Sequence, residues 1–233
     1  MRVLLVRLRA ALMSFGRPAV DDVSPAGDWP TRSMLTGLFG CALGYHKHHV
    51  DHLARLQSRL VYAVRCDIEP GHMVDLQTAR LDAPGMGHAQ LTPNGWASYR
   101  DDQWLRGNAV MRRREYLTNG EYLVAVALQA AAEPPTVDDI AHKLDFPEGV
   151  LTIGRRACIP SARLNAGLVE ADSLLSALRS RPAKEPSLAA IWPESEGDTG
   201  RVVEVVEDRD WRNDLHGGRR RMRVGRIQIE AQQ

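Results

Sequence analysis

GEYLVAVALQA, residues 120–130, is the run whose reading decides the fold. Past Glu121 it carries no charge and is rich in Val, Leu and Ala, the clearest strand signal in the chain. Just before it, MRRREYL (111–117) gives another strand signal. Just after it, TVDDIAHKLDF predicts a helix, with Thr136 as N-cap and aspartates in the first turn. VLTIG (150–154) reads as a further strand, followed by GRRACIPSARLNAG. Towards the N-terminus, RLVYAVRC (59–66) and VDLQTAR (74–80) are strands, and DHLARLQS is a short helix from Asp51. Met34, Leu35, Leu38, Phe39, Ala42 and Leu43 recur at helical spacing behind Thr31, with Gly44 as a stop. RVLLVRLR (2–9) is the first strand, and residues 10–30 read as a loop.

The resulting order is strand, helix, strand, strand, strand, helix, strand. This is an α+β chain whose order is close to βαββαβ, the ferredoxin-like or RRM-like layout, modified by an insertion. Residues 81–110 form that insertion: rich in turn formers, too long for a tight connection, yet carrying Trp96, Tyr99 and Trp104. The core is expected over 1–165, with a small β-rich extension over 166–233. In the extension, a helix is predicted over 170–180, a loop over 181–200, and strands at RVVEVVED and RRRMRVGRIQI. Met222 and Val224 share one parity and Ile227 and Ile229 the other, so a β-bulge is expected at Gly225.

The composition bounds the function. Of 233 residues 44% are hydrophobic and 25% charged, which describes an ordinary globular chain. No uncharged apolar run reaches the ~18–20 residues of a membrane span. Cys41, Cys66 and Cys158 are few, odd in number and far apart; this excludes a disulfide scaffold and a CxxC zinc site, and fits a reducing cytoplasm. Net charge is +1, so the chain is not coated in positive charge. Of its 30 basic residues 27 are arginine, which suits both a GC-rich coding bias and phosphate recognition.

Position decides between those readings. SFGRP…GDWPTRS brings a glycine loop to a helix N-terminus bearing Thr31, Arg32 and Ser33, which fits an anion site as well as an ordinary capped helix. In RRREY, Arg112 and Arg114 share one face with Tyr116, opposite Arg113; this fits base stacking with phosphate contact, or a charged edge strand. In GRRAC, Gly154 permits close backbone approach and Arg155 and Arg156 supply two guanidinium groups. YHKHHVDH (45–52) has His48 and His52 at i, i+4, but a solvated polar loop suits it better than a metal site. The late basic run, Arg212, Arg219, Arg220, Arg221, Arg223 and Arg226, is faced in sequence by acids at 194–214 and suits internal ion pairs or a nucleic-acid face.

Five blocks in order, LRAALMSFGRP, GDWPTRSMLTGLFGCALG, LVYAVRCD, RRREYLTNGEYLVAVAL and LTIGRRACIPSARLNAG, resemble the CasD family over roughly residues 1–167. That family caps the guide end in the type I-E CRISPR effector, Cascade, and belongs to the RAMP superfamily. The resemblance implies a non-catalytic subunit that holds the 5′ handle of CRISPR RNA, without metal or other cofactor. It also implies contacts with the large subunit and the backbone subunits, with target DNA met only through the complex and no membrane partner. A thumb hairpin is implied over 81–110, with Trp96, Tyr99, Arg100 and Trp104 as partner contacts. Block by block, the RNA contacts implied are Gly16 and Arg17, then Thr31, Arg32 and Ser33, then Arg112, Arg114 and Tyr116, then Gly154, Arg155, Arg156 and Cys158. Phe15 stands where the family usually has tryptophan and Met34 where it has glycine. The alternative is a metal-independent endoribonuclease like type I-C relatives, with Tyr45 and His46 as the proton-transfer groups. Arginines near 112–114 argue against it, because they stay charged and shuttle protons poorly.

Overall fold

The computed structural model describes residues 1–17, 22–79, 110–130 and 133–230. The elements run β1 Arg2–Arg9, β2 Leu12–Met13, β3 Phe15–Gly16, β4 Val23–Ser24, β5 Ala26–Gly27, α1 Arg32–Ala42 and α2 Val50–Arg59. They continue with β6 Leu60–Ile68, β7 Gly71–Ala79, β8 Val110–Thr118, β9 Glu121–Leu128, α3 Val137–Asp145 and β10 Asn165–Glu170. The last are α4 Leu174–Arg179, β11 Ser187–Pro193, β12 Arg201–Asp210 and β13 Leu215–Gln228. Among the described residues no helix is long and apolar enough to cross a membrane.

One antiparallel sheet of seven strands, in the order β10-β1-β9-β6-β11-β13-β12, carries the fold. The uncharged run read first in the sequence is its centre: β9 lies between β1 and β6, and all but its two end residues are buried. Alternate side chains go to opposite faces of a strand, and both faces here are covered. Leu4, Val6, Tyr62, Val64, Val124 and Val126 pack in the same cluster as Leu35, Phe39, Ile140 and Leu144 of α1 and α3. Val3, Leu5, Ala63, Leu123 and Ala125 pack with Leu174, Leu175, Ala177 and Leu178 of α4. Each large apolar side chain so enclosed contributes about 1.5–3 kcal/mol relative to exposure.

The helices begin where the caps predict. Thr31 Oγ1 accepts from Met34 N–H at 3.2 Å, and Gly44 at φ +79° ends the first helix. Thr136 and Asp139 form a reciprocal capping box. Gly40 lets α2 come close, since a Cβ there would lie 2.6 Å from Leu53 Cδ2.

Four expectations need correction. VLTIG is not a strand: it lies in an irregular stretch, and the strand after α3 is β10, the second neighbour of β1. The loop expected over 181–200 contains β11, which joins β6 to β13. Among the described residues of 10–30 there are four two-residue strands. No bulge occurs at Gly225, whose register with Ala190 is unbroken. The parity change there arises because Met222 and Val224 belong to one covered face and Ile227 and Ile229 to the other. Gly225 is small because Trp192 presses on it, a Cβ there meeting Cη2 at 3.0 Å.

Arg65, 1% exposed, fastens the sheet to α4 and the segment after it. It forks onto Asp67 and donates to the carbonyls of Leu178 at 2.5 Å and Arg181 at 2.8 Å. A buried guanidinium is tolerable only with its donors occupied in this way. The pair β7–β8 leaves the sheet as a ribbon, in register from Gly71 opposite Thr118 to Ala79 opposite Val110. The insertion between them, with Trp96, Tyr99, Arg100 and Trp104, lies outside the described residues.

Candidate nucleic-acid interface

Three stretches distant in sequence meet at the N-terminus of α1. The first is the glycine loop. Phe15 is fully buried and packs edge-on against Tyr122, with ring centroids 5.2 Å apart. It anchors β3 against β5, Gly16 pairing with Ala26. Arg17 points outward, 3.6 Å from an exposed Asp28. The space where Gly16 would carry a Cβ is open.

The second stretch is 152–158. Ile153 N–H donates to Cys158 O and Cys158 N–H to Arg155 O, both at 2.8 Å, which folds it into a tight loop. Gly154 has φ +100°, and a Cβ on it would lie 1.9 Å from Ser14 O. The close approach anticipated at this glycine is therefore made by the backbone of Ser14, whose N–H also donates to Ile153 O at 3.1 Å. Arg155 turns inward: Nη1 donates to Glu115 O at 2.6 Å, Nη2 to Ser24 O at 2.8 Å, and its guanidinium sits 4.9 Å from the Tyr116 ring centroid. Arg156 is exposed and has no ionic partner among the described residues.

The third stretch is the turn between β12 and β13; the sequence reading named Arg212 there, but not Arg209, Trp211 or His216. Together the three wall a cleft of about 500 Å³ lined by Gly16, Arg17, Thr31, Ser33, Gly154 and Arg155, and closed by Arg209, Trp211 and His216. Partial desolvation, with the Arg209 charge next in weight, pushes the His216 pKa below its ordinary value. A visible clue was the lone tryptophan in the polar turn DRDWRND, an uneconomical place for an indole unless something covers it.

Not every residue expected to touch a ligand is free to do so. Arg32 lies beside the cleft, but its guanidinium forks onto Asp208. Tyr116 is 3% exposed beneath Arg155 and presents no open face to a base. Cys158 is fully buried in the core, where burial raises its pKa and keeps the thiol protonated. Tyr116 and Cys158 thus support the site from behind. Arg112 and Arg114 lie outside the cleft lining, on the ribbon face shared with Tyr116 and opposite Gln77 and Asp75. At about 3.3 Å per residue, Arg114 stands roughly 7 Å and Arg112 roughly 13 Å along the strand from Tyr116, a basic track leading off from the Arg155 end of the cleft.

The remaining candidates resolve differently. The late arginines mostly serve the fold: Arg219 pairs with Glu204 at 3.4 Å, Arg221 with Glu194 at 2.9 Å and Arg212 with Asp51 at 3.3 Å. His46, His48, His49 and His52 lie ring to ring, His48 and His49 with centroids 4.2 Å apart. Among the described residues no cluster of His, Cys, Asp and Glu is arranged to hold a metal ion. Tyr45, His46 and Lys47 line a separate recess of about 240 Å³, which also touches Arg209 and Trp211.

The family model for the CRISPR-associated protein Cas_Cas5 matches residues 3–223. Among curated proteins, the CRISPR system Cascade subunit CasD of Escherichia coli (strain K12) is 27% identical over 176 residues, 75% of each chain. A chain of a solved CRISPR RNA-guided surveillance complex superposes with a TM-score of 0.68 at 24% identity, over 97% of this chain and 90% of that one. A crystal structure of a Cas protein gives 0.61 at 22% identity, over 97% and 94%. At such identities the two solved structures speak for the fold.

Proposed function

The chain belongs to the CRISPR-associated Cas5 family, and from that premise we propose that it binds the 5′ handle of CRISPR RNA in its three-walled cleft, as a non-cleaving subunit of a type I-E Cascade complex. The observation that carries the proposal is convergence. Gly16 and Arg17, Thr31 and Ser33, and Gly154 and Arg155 come from separate blocks of sequence, yet they line one cleft. A defined single-stranded RNA end needs N–H and guanidinium donors for phosphates and flat surfaces for splayed bases. Arg17 and Arg156 are the exposed donors, and Arg112 and Arg114 extend the track. Similarity to CasD supports placing the chain among the subunits of such a complex.

The finer architecture belongs to the same proposal. With the four core strands numbered in chain order, the arrangement β10-β1-β9-β6 is fourth, first, third, second, which supports a modified ferredoxin-like RAMP core. The β7–β8 ribbon supports reading 81–110 as the thumb. Two exposed apolar groups suit neighbouring subunits: Val74, Leu76 and Met111 on the ribbon, and Phe146, Val150 and Ile159 around the end of α3. Against the nuclease reading, burial pushes the Tyr45 hydroxyl pKa up, making it a poorer source of base at neutral pH.

Binding of labelled RNA carrying the repeat-derived 5′ handle tests the proposal. Arg17→Ala and Arg156→Ala are each expected to weaken it ~5–150-fold, the range of a charge-assisted contact. Arg179→Ala, on α4 across the sheet, should leave it unchanged; equal losses at all three positions would mean generic electrostatics. Incubation with repeat RNA without metal should leave the RNA intact. Specific cutting abolished by Tyr45→Phe or His46→Ala would replace the binding role with the nuclease one.

A further inference from the structure

The turn between β12 and β13 is held over α1 with more care than a solvent loop needs. Gln57 of α2, 8% exposed, does the holding. Its Nε2 donates to Arg209 O at 3.1 Å, while its Oε1 accepts from Arg209 N–H at 3.2 Å and from Trp211 Nε1–H at 3.1 Å. One side-chain amide thus fixes both the strand end and the indole. The Arg209 guanidinium lies 5.4 Å from the Trp211 ring centroid, and Asp214 takes one end of it. Its Nε is buried and has no acceptor among the described residues. On the α1 side the indole lies beside Gly37, where a Cβ would meet Cη2 at 3.8 Å, an ordinary contact distance. Arg209 and Trp211 line both the cleft and the recess beside Tyr45, so the pair forms a partition with a cavity on either side.

We propose that the Arg209–Trp211 pair is the stacking platform for one splayed base of the RNA, an extension that rests on the RNA-binding reading above. Indole and guanidinium planes both stack on nucleobases, and such stacking tolerates any base because every base has a π-face. Met34 and Leu38 add an apolar floor, while Thr31, Ser33 and Arg17 put polar groups in the same cleft. The cleft volume suits a single nucleotide rather than a duplex, falling within the ~300–1,000 Å³ of small-ligand sites.

The test uses the full chain and a series of single-stranded RNAs carrying the repeat-derived 5′ handle, each with one position made abasic. Trp211→Leu keeps apolar bulk but cannot stack. It should weaken the intact RNA ~5–150-fold, and the loss should vanish with the one abasic RNA that lacks the stacked base. Trp211→Phe should retain most of the affinity. The proposal is overturned if Trp211→Leu binds like the wild type, or if its loss is the same on every abasic RNA. Thermal melting checks the fold of the variant. Should Trp211→Leu fail to fold, Arg209→Lys is read on the same series: a loss confined to one position supports the platform, and a uniform or absent loss overturns it. Binding that responds to Arg17→Ala but ignores Trp211→Leu removes the platform alone. A wild-type chain with no preference for the handle over unrelated RNA removes the RNA reading as well.

Discussion

Gly154 is the residue on which the site turns. Its φ of +100° is strained for any other residue, and the Ser14 carbonyl occupies the place of a Cβ at 1.9 Å. Gly154→Ala should therefore cost ~2–4 kcal/mol of stability, because the 152–158 loop must leave the glycine loop. Chemical denaturation would read this; a cost below ~1 kcal/mol would show that the loop yields easily. The sequence marked this glycine as special but not what comes close to it. A Gly after an apolar run says only that backbone, ligand or bulky side chain arrives there. Arg155 has the same ambiguity: a pair of arginines gives no sign that the first turns in to brace Tyr116 while the second faces out. Gly16, Arg17, Thr31 and Ser33 were legible because loop glycine, cap hydroxyl and arginine lie in one short stretch. Arg209, Trp211 and His216 were not, because they reach the cleft only through pairing of the last two strands.

At the scale of elements, caps and uncharged runs read true, and segments governed by tertiary pairing did not. The box at the start of α3 was visible as Thr136 followed by aspartates, and it sets a pH dependence. Hydrogen bonds from the Thr136 backbone N–H, and then from its hydroxyl, hold the Asp139 pKa below the ordinary carboxylate value. Asp139 thus favours the folded state while ionised: its contribution is complete above the unfolded carboxylate range near pH 4 and fades as pH falls through the lower folded value. Asp139→Ala should lose about 0.3–1 kcal/mol at pH 7, the range of an exposed first-turn carboxylate, and the gap to wild type should narrow below pH 4. Melting curves across pH 2–7 would check this; a gap that widens in acid would reverse the assignment. By contrast, β11 was hidden. SLAAIWP has small alanines and a closing proline, and it is a strand because β6 and β13 accept it on either side. VLTIG misled in the opposite direction: Val150 is exposed, and backbone bonds to Ser14 and Cys158 take the place of a sheet ladder.

For the molecule as a whole, a net charge of +1 is compatible with RNA binding only if positive charge acts locally. Acids neutralise many arginines within the chain: Asp208 takes Arg32, Asp67 takes Arg65 and Glu194 takes Arg221. If Arg17, Arg112, Arg114 and Arg156 make the phosphate contacts, log affinity for single-stranded RNA should fall with log salt at a slope near −3, from ~0.7 per contact. A titration from 50 to 500 mM salt measures it. A slope steeper than about −6 would point to a broad basic surface instead. The arrangement of the cleft has one more consequence. Its walls come from residues 14–17, 152–155 and 209–216, close to the two ends of the chain and the stretch between. A polypeptide still leaving the ribosome lacks the last wall until residues 209–216 have emerged. If the cleft holds RNA as proposed, a product truncated before residue 209 lacks the wall that closes on it.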